Sequence, residues 1–286
     1  MQRLPERAKR LYYTSEGDPK HPPILFLHGF MGSGEDWAEI VAALKDRFYC
    51  LSVDLPGHGR SADFSPELPR DMPHTAAAVM EVVKALPERP AYLVGYSMGG
   101  RLALYVALHY PQHFAGVVLE SASPGLKTAA ERAGRIHRDE QLARRLEGED
   151  FAAFLEAWYR QPLFASLGKH PRYPELIARR LRTNPDPRAL ARALREMGTG
   201  RQPSLWDELP RMKMPLLLVV GENDPKFSAL AREMAARCPT AQVAVIKDAG
   251  HNVHFEQPEV FARTVAGFAN DSQSPDKTER KHTRKG

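Results

Sequence analysis

The chain has 286 residues, of which 43% are hydrophobic and 26% are charged, a composition typical of globular proteins and not of disordered or fibrous ones. This length suits one α/β domain enlarged by an insertion. The two cysteines, Cys50 and Cys238, lie far apart and outside any metal-binding spacing, which argues against a disulfide framework and a structural zinc site.

The two ends of the chain are polar. Residues 1–10 lack the apolar stretch of a secretory signal, and no apolar run reaches the roughly 18 residues of a membrane span. The net charge is +5, and residues 271–286 hold five Lys or Arg against three Asp or Glu. Such an end is more typical of a disordered tail than of a nucleic-acid-binding arm. We therefore expect a cytoplasmic monomer that binds neither nucleic acid nor membranes.

Short aliphatic runs alternate with turn residues and longer helical stretches, which predicts a mostly parallel sheet covered by helices. Residues 11–14 and the turn at 16–18 predict an antiparallel hairpin at the sheet edge, leading into the strand that starts at Ile24. The six further strands are predicted at 24–27, 50–53, 92–94, 117–119, 216–220 and 243–246.

The alternation stops between residues 124 and 206, where the sequence predicts several helices and no strand. An insertion of this kind between two strands is typical of a cap. We therefore predict a core formed by residues 1–123 and 207–270 and a helical cap formed by residues 124–206.

Ser97 lies in the sequence GYSMG (95–99), after a predicted strand and before a predicted helix. The Gly-x-Ser-x-Gly pattern alone is common by chance, but this context is that of the nucleophile elbow of the α/β-hydrolase fold. Gly95 and Gly99 allow the strand and the helix to approach closely, and the tight turn raises the serine hydroxyl above the sheet. The sequence therefore predicts an α/β-hydrolase fold with Ser97 as its reactive residue.

A serine hydroxyl needs an imidazole as its base and an acid that fixes the imidazole tautomer. In this fold the acid and the histidine follow the serine in that order. Asp224 and His251 each come just after a predicted strand, at the end where open α/β sheets gather their sites. Taken alone, Asp224 could cap a helix and His251 could be an ordinary loop histidine. Their shared order and placement predict a triad of Ser97, Asp224 and His251.

The sequence HGF (28–30) follows the strand that begins at Ile24, where this fold supplies an oxyanion-hole amide. We predict that the backbone N–H groups of Phe30 and Met98 stabilise negative charge on a substrate oxygen. Gly32 and Gly34 lack the Gly-x-Gly-x-x-Gly spacing of a dinucleotide site. The sequence therefore predicts no cofactor.

Four stretches resemble one branch of the fold, the 2-succinyl-6-hydroxy-2,4-cyclohexadiene-1-carboxylate synthases of the menaquinone pathway. The resemblance runs from about residue 20 to 268 and includes the cap, whereas the triad motifs alone indicate only the fold. The four stretches are LHGFMGS (27–33), GYSMGGR (95–101), ESASPGL (120–126) and WYRQPLF (158–164).

The resemblance implies a lyase that eliminates pyruvate from 2-succinyl-5-enolpyruvyl-6-hydroxy-3-cyclohexene-1-carboxylate. Ser97, activated by His251 and Asp224, would act as the base that removes the proton α to the succinyl carbonyl. The reaction requires neither a metal nor an organic cofactor. Because the substrate is a tricarboxylate, several guanidinium groups are expected around it. The family's substrate-binding positions fall on Tyr96, Arg101, Arg135, Trp158 and Arg182.

The residues themselves support these positions unevenly. Arg101 follows Ser97 by four residues, so both side chains can lie on one side of a helix. If residues 129–146 are helical, both Arg132 and Arg135 lie on the apolar face, and periodicity does not choose between them. The resemblance selects Arg135.

Arg182 and Trp158 have ordinary structural alternatives. Arg182 closes a helix predicted at 174–181, where a cation also stabilises the helix C-terminus. Trp158 recurs with Phe154 and Leu155 at helical spacing, which by itself indicates core packing.

Two other functions compete with the lyase. The same triad would serve a hydrolase of esters or carbon–carbon bonds, but a pocket for neutral esters does not need three arginines. A non-catalytic ligand-binding protein would not need the complete triad.

Overall fold

A computed structural model describes residues 11–64, 69–87 and 89–273 of the chain. Within these ranges seven strands form one sheet. The strands are β1 (Tyr13–Glu16), β2 (Pro23–Leu27), β3 (Tyr49–Val53), β4 (Ala91–Tyr96), β5 (Phe114–Glu120), β6 (Leu216–Gly221) and β7 (Ala241–Ile246).

The strand order is β1-β3-β2-β4-β5-β6-β7, and every neighbouring pair is parallel except β1 with β3. The prediction of a mostly parallel sheet with an antiparallel edge is confirmed. The predicted hairpin was wrong in one respect, because β1 pairs with β3 and not with β2, the next strand in sequence. The chain turns at Gly17, next to the carbonyl of Phe48, the residue before β3. It then passes the start of β3 and enters β2.

Ten α-helices accompany these strands in the described ranges. They are α1 (Ala38–Leu44), α2 (Met72–Val83), α3 (Met98–His109), α4 (Ala129–Gly148), α5 (Phe151–Tyr159), α6 (Tyr173–Thr183), α7 (Pro187–Met197), α8 (Pro225–Arg237), α9 (Val253–Glu256) and α10 (Pro258–Gln273).

Alternate residues of the central strands point to opposite faces of the sheet, as strand geometry requires. Leu25 and Leu93 pack with α2, α3 and α8 on one face, whereas Phe26 and Val94 pack with α1 and α10 on the other. Burial on both faces explains why these strands are continuous apolar runs in the sequence. Because strands β2 to β7 run parallel, their carboxyl ends lie at the same edge of the sheet. The loops at this edge carry the candidate site.

Helices α4 to α7 form a strand-free segment between β5 and β6, as the sequence predicts. The two ends of this segment meet, because the Leu205 N–H donates to the Pro124 carbonyl at 2.7 Å. The Trp206 indole N–H also donates to the Gly125 carbonyl at 3.0 Å. The segment shares an apolar cluster with Met31, which follows β2. We retain the cap boundaries of 124–206 as a proposal supported by these contacts.

The last described helix, α10, extends to Gln273. The tail predicted at 271–286 therefore overlaps α10 by three residues, and its remainder lies outside the described residues. No helix in the described ranges is long and apolar enough to cross a membrane.

Candidate active site

Ser97 occupies a strained turn between β4 and α3. Its backbone has φ 49° and ψ −104°, a conformation that costs a non-glycine residue about 1–3 kcal/mol. A Cβ atom on Gly95 would lie 2.5 Å from the Gly99 carbonyl oxygen, so only glycine permits this close approach of strand and helix. The Ser97 N–H donates to the Glu120 carbonyl at 2.9 Å, which ties the turn to the end of β5.

The three predicted triad residues lie in one hydrogen-bonded line. His251 Nδ1 lies 2.8 Å from Asp224 Oδ2, and His251 Nε2 lies 3.3 Å from Ser97 Oγ. The carboxylate accepts from the Nδ1–H group, which leaves Nε2 as the acceptor that faces the serine hydroxyl. Asp224 and His251 are buried. The longer serine contact must shorten for efficient proton transfer.

Asp224 has two structural tasks. Its Oδ1 atom accepts from the Phe227 N–H at 3.0 Å and caps α8, while Oδ2 faces the histidine. The capping role and the triad role, which look like alternatives in the sequence, are therefore both possible at once. Phe227 also packs on the His251 ring at a centroid distance of 4.6 Å and helps to fix its orientation.

The loop after β2 places the Phe30 backbone beside the elbow. His28 Nδ1 lies 2.8 Å from the Gly29 carbonyl, and His28 Nε2 accepts from the Leu55 N–H at 2.9 Å, so the ring holds this loop as a neutral imidazole. Burial lowers the pKa of His28 and favours the same neutral form. Within the described residues, neither the Phe30 N–H nor the Met98 N–H donates to a backbone carbonyl in a turn or loop. Both amides are therefore suited to the predicted oxyanion hole.

Two of the predicted aromatic residues lie next to these groups. Trp158 contacts Phe30 edge to face, with 5.5 Å between the ring centroids. Tyr96 is buried, and its ring lies 5.6 Å from that of His251. Phe164, which the sequence analysis did not select, packs on the same imidazole at 5.7 Å. The helical segment thus supplies one wall of the site.

Arg101 and Arg135 share one environment at the junction of α3, α4 and α7. The buried Arg101 guanidinium donates to two neutral acceptors, Gln202 Oε1 and the Met197 carbonyl, each at 3.0 Å. Burial and the nearby Arg135 charge lower the pKa of Arg101 to about 10. Arg135 itself pairs with Asp139, at 2.6 Å between Nε and Oδ1. Within the described ranges Arg101 forms no direct ion pair, and the Asp139 carboxylate that pairs with Arg135 only partly offsets the loss of hydration of the Arg101 charge.

Arg132, the alternative left by periodicity, does not share this environment. Its guanidinium donates to the Leu126 carbonyl at 3.3 Å. Arg135 is therefore the α4 arginine that the structure brings to Arg101.

Arg182 lies elsewhere. Its exposed guanidinium pairs with Glu35 and lines a groove of about 600 Å³ together with Arg60 and Asp54. None of the three triad residues lines this groove. The structure thus brings together two of the three predicted arginines, and a substrate contact by Arg182 stays a prediction.

Comparison with known proteins places the chain in a family. The model of the Alpha/beta hydrolase family matches residues 24–264. The 2-succinyl-6-hydroxy-2,4-cyclohexadiene-1-carboxylate synthase of Escherichia coli O1:K1 is 40% identical over 90% of this chain and 96% of its own length. The chain belongs to the 2-succinyl-6-hydroxy-2,4-cyclohexadiene-1-carboxylate synthase family.

A second family member and a plant protein extend this comparison. The structure of MenH from S. aureus superimposes with a TM-score of 0.86 and 30% identity, over 92% of this chain and 99% of that chain. Protein PHYLLO, chloroplastic, of Arabidopsis thaliana is 37% identical over 82% of this chain, which spans only 14% of the length of that relative. The family assignment therefore covers both the sheet and the helical segment.

In this synthase family member a second carboxylate–imidazole pair lies behind the triad, and the sequence analysis missed it. Glu120 and His254 are both buried, with 2.7 Å between Glu120 Oε2 and His254 Nδ1. Glu120 Oε1 also accepts from the His254 N–H at 3.0 Å. Since the Glu120 carbonyl accepts from Ser97, this pair connects the elbow to the helix that follows His251. Glu120 stands in a quoted family stretch, but no local pattern reveals a partner that is 134 residues away.

The synthase site contains no evident metal ligands. Among the described residues, no group of three or more His, Cys, Asp or Glu side chains is arranged to hold a metal ion. The polar groups that the structure places at Ser97 include His251, at 3.3 Å from the serine hydroxyl, and the Glu120 carbonyl, which accepts from the Ser97 N–H.

Proposed function

We propose that this chain is a lyase that eliminates pyruvate from 2-succinyl-5-enolpyruvyl-6-hydroxy-3-cyclohexene-1-carboxylate and yields 2-succinyl-6-hydroxy-2,4-cyclohexadiene-1-carboxylate in menaquinone biosynthesis. The observation that carries this proposal is the buried Arg101 guanidinium beside Arg135, in a family member with a complete triad. A buried cation held by neutral acceptors costs desolvation energy, and a substrate carboxylate would offset that cost.

The triad would supply the base. Ser97 Oγ takes the proton from the carbon α to the succinyl carbonyl while the serine proton passes to His251 Nε2. Asp224 stabilises the imidazolium that forms. The electron pair of the broken C–H bond forms a double bond between ring carbons 2 and 3, the double bond between carbons 3 and 4 shifts to carbons 4 and 5, and the bond from carbon 5 to the enolpyruvate oxygen breaks. Enolpyruvate then takes up a proton at its methylene carbon and becomes pyruvate.

The Phe30 and Met98 amides would stabilise the transition state. Negative charge develops on the succinyl carbonyl oxygen as the proton leaves, and two preorganised N–H donors lower the energy of that charge. The elimination is redox-neutral and needs only a base and an oxyanion site. We therefore propose that no cofactor takes part.

The arginines and aromatic residues would bind the substrate. Arg101 and Arg135 are proposed to pair with carboxylates, and Trp158 and Tyr96 to flank the ring. Arg182 would contribute only if its pair with Glu35 opens. The proposed partner is a small tricarboxylate, and the proposed working form is a cytoplasmic monomer.

The deciding experiment supplies the purified enzyme with the enolpyruvyl substrate. Pyruvate release and diene absorbance are followed together, with Ser97→Ala and Arg101→Ala as controls. We expect stoichiometric pyruvate and diene, and loss of both in Ser97→Ala. Rapid hydrolysis of a p-nitrophenyl ester with no pyruvate release would instead identify a serine hydrolase. Tight binding of the substrate without turnover would identify a binding protein.

A further inference from the structure

Helix α6 reaches across to the loop that carries the Phe30 amide. Arg180 and Asn184, the C-cap residue just after the helix, are four residues apart, and both side chains are almost fully buried. Both contact the segment that follows β2, Arg180 at Asp36 and Asn184 at Met31. The helical segment thus holds the loop at two points.

The first point is a buried ion pair between Arg180 and Asp36, and the less buried Arg179 adds a longer contact, with 3.4 Å between Arg179 Nη1 and Asp36 Oδ1. Arg180 Nη1 lies 2.6 Å from Asp36 Oδ1 and 2.8 Å from Oδ2, and Arg180 Nε donates to the Tyr159 hydroxyl at 3.1 Å. Burial alone would raise the pKa of Asp36, but the Arg180 charge and hydrogen bonds outweigh it and hold this pKa below its ordinary value. Asp36 is therefore charged in the folded protein. A Cβ atom on Gly32 would lie 2.5 Å from Asp36 Oδ2, so the carboxylate packs directly against the loop.

The second point is the residue after Phe30. Met31 has φ 62°, a left-handed conformation that costs a residue with a side chain about 1–2 kcal/mol. It lies in a turn closed by the Gly32 N–H, which donates to the Gly29 carbonyl at 3.0 Å. The Asn184 side-chain amide donates to the Met31 carbonyl at 3.0 Å and so holds this strained peptide in place.

We propose that Arg180 and Asn184 are positioning residues that hold the Phe30 N–H in the oxyanion hole, so that the geometry of the hole depends on the docking of α6. This inference rests on the proposed function, in which the Phe30 amide stabilises an oxyanion. Neither side chain has to touch the substrate.

A purely structural role would not need a buried ion pair. Apolar side chains of similar size would pack α6 onto the core at least as firmly, because two buried charges lose their hydration. What apolar packing does not supply is a fixed direction, which the charge-assisted hydrogen bonds from Arg180 Nη1 to Asp36 and the bond from Arg180 Nε to the Tyr159 hydroxyl provide.

The test separates positioning from folding. The double variant Asp36→Leu/Arg180→Met replaces the ion pair by apolar groups, and Asn184→Leu removes the donor at nearly constant volume. The matched control is Arg172→Met, which breaks an exposed ion pair between the helical segment and Glu39 of α1. Measured quantities are kcat and KM for pyruvate release, the urea midpoint, and the inhibition constant of phenylboronic acid, whose serine adduct places an oxygen in the hole.

We expect kcat to fall about 10- to 100-fold in both variants, which approaches the effect of losing one oxyanion donor. Binding of phenylboronic acid should weaken in parallel, while KM changes less than about threefold and the double variant keeps or gains urea resistance. Arg172→Met should leave kcat and inhibitor binding unchanged. Folded variants with wild-type kcat and inhibitor binding would overturn the inference.

The proposed function can fail separately. If the wild-type enzyme releases no pyruvate, that function is wrong, and the phenylboronic acid constants alone then decide on positioning. Equal inhibitor binding by the wild type and both variants would overturn positioning in that case as well.

Discussion

Arg135 lies close enough to Arg101 to help lower the pKa of the buried Arg101 guanidinium, while the Asp139 carboxylate pairs directly with Arg135 and only partly offsets this effect at Arg101. Two like charges are thus held together before any ligand arrives. Such an arrangement weakens folding and favours the binding of an anion, so the same residue should show opposite effects on stability and on substrate affinity.

The variant Arg101→Met tests this trade-off, because methionine keeps much of the apolar stem and removes the charge. We expect KM for the enolpyruvyl substrate to rise roughly 10- to 100-fold, the effect of losing a hydrogen bond to a charged group. The urea midpoint should stay the same or rise. The control is Arg132→Met, which removes a cation from the face of α4 that also carries Arg135. This variant should leave KM nearly unchanged. A lower midpoint with an unchanged KM would show that Arg101 is only structural.

At the nucleophile elbow, two substitutions of Ser97 should abolish activity equally but differ in their effect on the free energy of unfolding. Ser97→Ala and Ser97→Gly should both lose at least about a thousandfold in kcat, because the proposed base is gone. Glycine adopts φ 49° without the cost that alanine carries, so Ser97→Gly should be the more stable of the two by about 1–2 kcal/mol. Urea unfolding of the two variants measures this difference. Equal stabilities would mean that the turn is not strained.

Replacing the Asp139 carboxylate by a neutral amide should raise the free energy of unfolding at pH 7, and replacing that of Glu140 should lower it. Burial raises the pKa of Asp139 above 3.8 despite Arg135, so the folded chain binds that proton more tightly than the unfolded chain. Stability is therefore lost as pH rises through the folded pKa, and Asp139→Asn should be more stable than wild type at pH 7. Hydrogen bonds from Arg195 and Arg144 lower the pKa of Glu140 to about 2.

The neighbouring variant Glu140→Gln is the matched control. It should be less stable than wild type at pH 7, and its deficit should shrink as pH falls below 4.5, where the unfolded carboxyl takes up its proton. The effect will be small because Glu140 is solvent-accessible. Thermal unfolding at pH 3, 5.5 and 7 measures both variants. The same sign for both at pH 7 would contradict the assignment.

The variant His254→Ala should cost about 3–5 kcal/mol, because it removes the imidazole beside the buried Glu120 carboxylate and leaves only the backbone N–H of residue 254 as its donor. Adding Glu120→Gln to His254→Ala removes that unpaired charge and should recover part of the loss. A double-mutant cycle in urea measures the coupling. Strictly additive losses would show that the two side chains do not depend on each other.

The sheet could be predicted from the sequence because its strands are buried on both faces and read as continuous apolar runs, as in Leu25 and Leu93. The elbow could be predicted because Gly95 and Gly99 are needed for a local steric reason. The partner of β1 could not, since strand order is decided by packing between distant segments and not by the turn at Gly17.

The polar groups that position the site were the least predictable part. Arg180 follows the buried Leu176 by four residues on α6, so a helical wheel could have placed it inward. The family resemblance drew attention to Arg182 instead, and the structure places that side chain in an exposed pair. Asp36 and Glu120 depend on partners more than a hundred residues away, which no local pattern contains.

The hydrogen bond between the Leu205 N–H and the Pro124 carbonyl joins the two ends of the helical segment, where the chain leaves the sheet and returns to it. Its whole length could be exchanged for that of another family member through one junction, and the sheet would keep its connectivity. Arg101 would stay with the core while Arg135 and Trp158 would travel with the segment. We therefore expect such a graft to alter one wall of the substrate site, whereas the reacting groups stay with the host.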